Sequence, residues 1–171
     1  EGEVAFQDDG ESGLGAWTAE PPWGLTQAEA HSSTHAWTDS PGGDYANLVN
    51  AALVSPAMDI SSLANPTLSF WTRYAFQPGV DYGFVEASTD GSLTWSILAS
   101  YTATDASWTL QQVRLKRFAG AADLQLRFRL AADESLVEDG WYVDDIRVYA
   151  GPFAPEQSLW LPCMVLAAAA P

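Results

Sequence analysis

Two adjacent aspartates, Asp144 and Asp145, sit inside a largely apolar run from Trp141 to Tyr149 whose one other charged residue is Arg147. On an extended strand neighbouring side chains point to opposite faces, so one of the two must aim at a core or its rim. A buried carboxylate needs a cation, a full set of hydrogen bonds or a proton. Arginine would serve, and Arg127 or Arg129 is available if their strand is a neighbour. Calcium is the other cation, because it accepts roughly six to eight carboxylate, carbonyl and amide oxygens. Further donors stand where folding can gather them: Asp8 and Asp9 after the first apolar run, Asp39 after Trp37-Thr38, and Asp44 after Pro41-Gly42-Gly43. The expected metal set is Asp8, Asp39, Asp44, Asp144 and Asp145, with Asp145 and Asp8 the first choices. Its Ca2+ would be structural, clamping the first segment and a long loop onto the last strand.

Little else has the spacing of catalysis. The chain contains no His-Glu-x-x-His, no Gly-x-Ser-x-Gly and no phosphate loop. Glu138-Asp139 with Asp144-Asp145 does not reproduce the alternating carboxylates that put acid and nucleophile in one glycosidase cleft. His31 and His35 could share a strand face, but no third ligand is evident and they read as a polar strand edge. The chain is therefore expected to be noncatalytic. A sugar-binding role is the alternative, since exposed indoles stack on pyranose rings. Trp71, sharing a strand face with Arg73, and Trp23, beside Pro21-Pro22 in an apparent loop, are the candidate platforms. Most of the other aromatic residues read as core.

The elements that must position these groups are strands. Leu124, Leu126, Phe128 and Leu130 alternate with Gln125, Arg127 and Arg129. Leu68, Phe70, Tyr74 and Phe76 alternate in the same way against Trp71 and Arg73, as do Val113 and Leu115 against Arg114 and Lys116. Such period-2 patterns mark half-buried strands with one face on a core. Asp90-Gly91 between two apolar runs marks a hairpin, and Pro41-Gly42-Gly43, Gln77-Pro78-Gly79 and Ala119-Gly120 mark further turns. About ten strands at spacings of roughly 8–15 residues predict an all-β fold, an antiparallel β-sandwich or jelly roll. Arg114, Lys116, Arg117, Arg127 and Arg129 then lie outward on two strands read as adjacent. They form either an anionic-ligand patch or, the better reading, cross-strand partners for carboxylates.

At 171 residues the chain is one domain long, and 47% hydrophobic with 17% charged residues is a globular composition. Seven basic against 22 acidic residues give a net charge of −15, which repels nucleic acid and anionic headgroups. Cys163 is the single cysteine, so no internal disulfide can form. No apolar stretch reaches the roughly 18 residues of a membrane span. With Glu1 first and no leader, the expectation is a processed or excised piece of a secreted, extracellular protein. The division expected is a domain over 1–150 and an apolar tail over 151–171, with Leu159–Val165 packing as an extra strand or extended segment.

Several segments in order carry a family pattern. They include Val4-Ala5-Phe6-Gln7-Asp8-Asp9-Gly10, His35-Ala36-Trp37, Leu53-Val54-Ser55-Pro56, Pro66-Thr67-Leu68-Ser69-Phe70-Trp71 and Ser88-Thr89-Asp90-Gly91. The series ends on Asp139-Gly140-Trp141-Tyr142-Val143-Asp144-Asp145-Ile146. From about Val4 to Tyr149 the chain resembles a MAM-type jelly roll, of the bacterial kind that accompanies immune inhibitor A-like metalloproteases. The resemblance implies a noncatalytic extracellular module for adhesion, substrate targeting or positioning of a larger protein, often with bound calcium. Its partner would be a protein or glycan on a cell surface or matrix, and any parent protease or hydrolase would lie outside this chain. Phe6-Gln7 stands where such modules have Phe-Glu, and the animal modules' disulfides are missing.

Overall fold

The computed structural model describes residues 2–151; the expected tail strand and Cys163 lie outside the described residues. Among these, eleven strands form: β1 (Val4–Asp8), β2 (Thr18–Ala19), β3 (Gly24–Thr26), β4 (Ala36–Thr38), β5 (Asn50–Val54), β6 (Pro66–Ala75), β7 (Tyr82–Ser88), β8 (Ser96–Tyr101), β9 (Thr104–Arg114), β10 (Gln125–Ala131) and β11 (Gly140–Ala150). A short 3-10 turn over Lys116–Phe118 is the one helical element among the described residues, and no helix there is long and apolar enough to cross a membrane.

The strands form two antiparallel sheets. The first runs β3-β4-β11-β6-β9, with β1 also on β11; the second runs β2-β5-β10-β7-β8. The predicted alternation sets the inner faces: Leu124, Leu126, Phe128 and Leu130 are fully buried, as are Leu68, Phe70 and Phe76. Between the sheets Trp141 packs against Phe76, Tyr101, Phe128 and Trp23, with ring centroids 5.7–6.2 Å apart. Gly83 lies opposite: a Cβ there would stand 2.8 Å from the Trp141 ring, so only glycine fits beneath it.

β1 and β4 share one edge of β11. β4 pairs with Tyr142 and Val143, whereas β1 pairs with Ile146 to Tyr149. The handover falls on a bulge between Asp144 and Arg147, where Asp145 takes φ 48°. One extra residue shifts the alternation, so Trp141 and Val143 face the core before the bulge and Ile146 and Val148 after it.

One predicted neighbourhood is corrected. The basic strands β9 and β10 lie in different sheets, so Arg114, Lys116 and Arg117 are not beside Arg127 and Arg129.

Candidate functional site

The β11 bulge brings the two aspartates to one place. Asp144 is buried and its carboxylate accepts the backbone N–H groups of His31, Ser32 and Asp145 at 2.7–3.0 Å. Burial raises its pKa above the usual carboxylate range in spite of those three bonds. Asp145 meets the same loop, with His31 Nδ1 at 2.6 Å and the Ser32 hydroxyl donating at 2.8 Å. The strict strand parity read from the sequence fails here, since both carboxylates reach the 31–32 segment. Neither is paired with Arg127 or Arg129; backbone amides satisfy Asp144 without any cation.

Asp8 lies across the handover, in register with Ile146. Its oxygens accept from Gly10 N and from the indole N–H groups of Trp17 and Trp37 at 2.8–3.1 Å. Asp8, Asp9, Ser12, Asp145 and Arg147 line an open cleft of about 500 Å³ beside the bulge. The first and last strands thus bring Asp8 and Asp145 together, as expected. Asp39 and Asp44 are corrections. Asp39 is fully buried beside Gly140, accepts the Trp141 N–H at 2.6 Å through Oδ1, and leaves Oδ2 without a partner. Burial pushes its pKa up to about 7. Asp44 is exposed in the loop before β5. Among the described residues no three acidic or histidine side chains are arranged to hold a metal by themselves. A calcium in the cleft would need main-chain or water oxygens to complete its shell, which its large and irregular coordination tolerates.

The histidines do not share a strand face; both stand in the loop before β4. His35 joins Glu11 at 3.0 Å, and His31 stacks on Trp71 with centroids 3.8 Å apart and planes at 13°. Trp71 therefore faces outward beside Asp144, as its alternation predicts, but one face of its indole is covered. Trp23 is a further correction: it is 5% exposed and its indole N–H donates to the Ala51 carbonyl at 3.0 Å. A loop position next to two prolines looked exposed, yet the ring turns inward to close the core.

The cross-strand carboxylate pairing expected of Arg127 and Arg129 is found, and their shared partner is Glu86, which the sequence reading did not name. On the outer face of the second sheet, buried Glu86 accepts from Arg127 Nε at 2.5 Å and from Arg129 Nε and Nη2 at 3.0 and 3.1 Å. Arg127 stacks over Trp95 at 4.3 Å and Arg129 over Phe84 at 4.7 Å, with Tyr82 stacked on Phe84 beyond. Burial alone would raise the Glu86 carboxyl; the bonds and charges of Arg129 and Arg127 outweigh it and hold the pKa below the usual range. Two cations share one anion, so this face carries a local positive charge on an acidic chain. The signal available was Glu86 itself, a carboxylate inside the apolar run Val85-Glu86-Ala87.

No family model matches the chain. It is 28% identical over 151 residues to Bacillopeptidase F of Bacillus subtilis, covering 84% of this chain and 10% of that protein. A cleaved adhesin domain of Lys-gingipain from Porphyromonas gingivalis superposes with a TM-score of 0.62 at 15% identity, covering 87% of this chain and 99% of that one. The CBM22-1 xylan-binding domain from Paenibacillus barcinonensis gives 0.59 at 12% identity over 90% of this chain and 97% of that one. TmCBM61 in complex with β-1,4-galactotriose gives 0.55 at 13% identity over 84% and 94%. The chain is thus a β-sandwich shared with adhesin and carbohydrate-binding domains, similar in sequence to a tenth of a peptidase's length.

Proposed function

We propose that this chain is a noncatalytic module of a larger secreted protein, holding that protein to a surface or substrate. The carrying observation is the outer face of the second sheet, where Arg127, Glu86 and Arg129 are fixed between Trp95 and Phe84. Side chains already held in place lose little freedom on binding, which favours recognition. The sequence match to part of Bacillopeptidase F supports an accessory position beside a peptidase. The MAM-type identity belongs to this proposal, supported by the order of motifs from Val4 to Tyr149 and by the pairing of β1 with β11. An extracellular location is supported by the adhesin and xylan-binding neighbours.

Glycan binding is the second reading, favoured by the aromatic rings on two outward faces and by the xylan- and galactotriose-binding neighbours. Affinity electrophoresis on xylan, galactan and glucan gels, with matrix proteins assayed alongside, separates the readings. Retardation on a glycan that Trp95→Ala or Trp71→Ala abolishes makes the module a carbohydrate binder. Retention by a matrix protein, lost in Arg127→Ala with Arg129→Ala, supports the leading reading. Hydrolysis of any glycan or peptide by the pure chain would sink both.

Calcium enters as part of the proposal, with Asp8, Asp9 and Asp145 as the carboxylates of the β1–β11 cleft. EDTA is then expected to lower the melting temperature by several degrees, and calcium, more than magnesium, to restore it. Asp145→Asn should abolish the EDTA response, whereas exposed Asp44→Asn should keep it. A melting curve that ignores EDTA, with no calcium in elemental analysis, removes the metal from this reading.

A further inference from the structure

Three connections meet at one end of the sandwich: 39–49 between β4 and β5, of which 41–49 reach the tip, 76–81 between β6 and β7, and 132–139 between β10 and β11. They are tied into one body. The buried Tyr45 hydroxyl donates to Asp81 at 2.6 Å, and the other Asp81 oxygen accepts Asp133 N at 2.9 Å. Leu48 N donates to the Asp133 carbonyl, Asn47 Nδ2 to that of Glu134, and the Ser135 hydroxyl to Gln77 Oε1. Such a tip is ordered before any partner arrives.

What it displays is apolar. Leu48 is 69% exposed and Leu136 64%, and Val80 and Val137 on the same tied connections are about 40% exposed. Lone exposed apolar residues are ordinary, but four on one tied tip concentrate apolar surface in the way that marks an interaction site. Leu48 also holds φ +60°, a left-handed conformation that opposes any side chain with a Cβ. Glycine or asparagine would sit there with less strain, and so exposed a leucine buries little surface in return. Strain held without a packing gain points to use elsewhere.

The charge around the patch selects the partner. Residues 41–49, 76–81 and 132–139 contain Asp44, Asp81, Asp133, Glu134, Glu138 and Asp139 and no lysine or arginine; Asp81 is buried, and Asp139 lies 3.8 Å from Arg73. Asp44, Glu134 and Glu138 are exposed. A second copy would bring the same acidic rim against this one, and anionic lipid would be repelled. We propose that this tip docks a protein segment that is apolar along one face and basic along its rim, with Leu48 and Leu136 as the anchors. The proposal stands apart from the glycan and calcium readings, because it uses neither the sheet faces nor the β11 bulge.

The test uses a labelled amphipathic leucine–lysine peptide, with a leucine–glutamate peptide of the same pattern as the control, read by fluorescence anisotropy. The expected result is saturable binding of the lysine peptide alone, weakened by salt. Leu48→Gly and Leu136→Ser leave the net charge unchanged, and each should weaken binding about tenfold. Leu48→Gly should melt no lower than the parent, since glycine relieves the left-handed backbone. Equal binding by parent and variants would reduce the effect to the general acidity of the chain and overturn the proposal. Binding of both peptides alike, or a several-degree fall in the Leu48→Gly melting temperature, would overturn it too. Leu48-dependent uptake by zwitterionic vesicles, or Leu48-dependent self-association in sedimentation, would replace the basic segment with a membrane or a second copy.

Discussion

Trp141→Ala is expected to lower stability by about 3–5 kcal/mol, the range for removing a fully enclosed large aromatic. For a domain of this size that is roughly 10 °C in melting temperature. The ring is completely buried and touches Tyr101 and Phe128 of the second sheet, and Trp23 and Phe76 at the ends of β3 and β6. Its indole N–H also donates to Thr72 Oγ1 at 2.7 Å, and that hydroxyl donates in turn to the Tyr142 carbonyl at 2.9 Å. Alanine leaves a cavity the neighbours cannot fill, because Gly83 has no side chain to move into it. Trp141→Phe should cost less, losing the hydrogen bond and only part of the ring. Urea unfolding of both variants gives the measurement; an alanine cost below about 1 kcal/mol would mean the sheets pack without this ring.

The second large effect is a pH dependence led by Asp39, with buried Asp144 raised in the same sense. Burial penalises the Asp39 anion and pushes its pKa from the ordinary aspartate value of 3.8 up to about 7. Between these values the folded state holds a proton that the unfolded state has released. Stability is therefore greatest on the acid side of the window and falls as the pH rises towards 7. The full loss is on the order of a few kcal/mol, by the linkage between pKa shift and stability. Glu11 and Asp90 act in the opposite sense, but both are held near 2 by hydrogen bonds, so their contributions disappear only as the pH falls below about 4. Asp39→Asn keeps the acceptor for Trp141 N and removes the charge. The variant should show a much flatter stability profile from pH 5 to pH 8 and exceed the parent at the upper end. Identical slopes in urea titrations would show that Asp39 does not govern the window.

The main alternations were legible because they depend only on which residues are neighbours along a strand. Leu124 to Leu130 reads correctly whichever strand lies beside it. The convergence of Asp8 and Asp145 was legible too, since first and last strands often pair. The bulge was not: it arises where β11 changes partner from β4 to β1, and no residue of the Asp144-Asp145 pair announces that handover. Trp23 misled for a similar reason, because the direction of its indole is set by an acceptor 28 residues away on Ala51. The Arg127–Glu86–Arg129 group needed the β7–β10 register, in which Arg127 stands opposite Glu86. Periodicity tells which residues face outward; it does not tell which of them meet.

The pairing of β1 with β11 also has a mechanical side. Val4 stands opposite Tyr149, and Ala150 N donates to the Glu3 carbonyl, so the chain enters and leaves this body at adjacent points. A pull applied through both flanking segments acts across the antiparallel ladder rather than along it. Its rungs are loaded one after another, beginning at Glu3–Ala150 and running towards Asp8, where the carboxylate is bonded to the indoles of Trp17 and Trp37. Tension in the surrounding chain would open the seam like a zip as far as Asp8, and the two tryptophans would be its stop. The sheet faces and the Leu48 tip would stay assembled until that stop gave way.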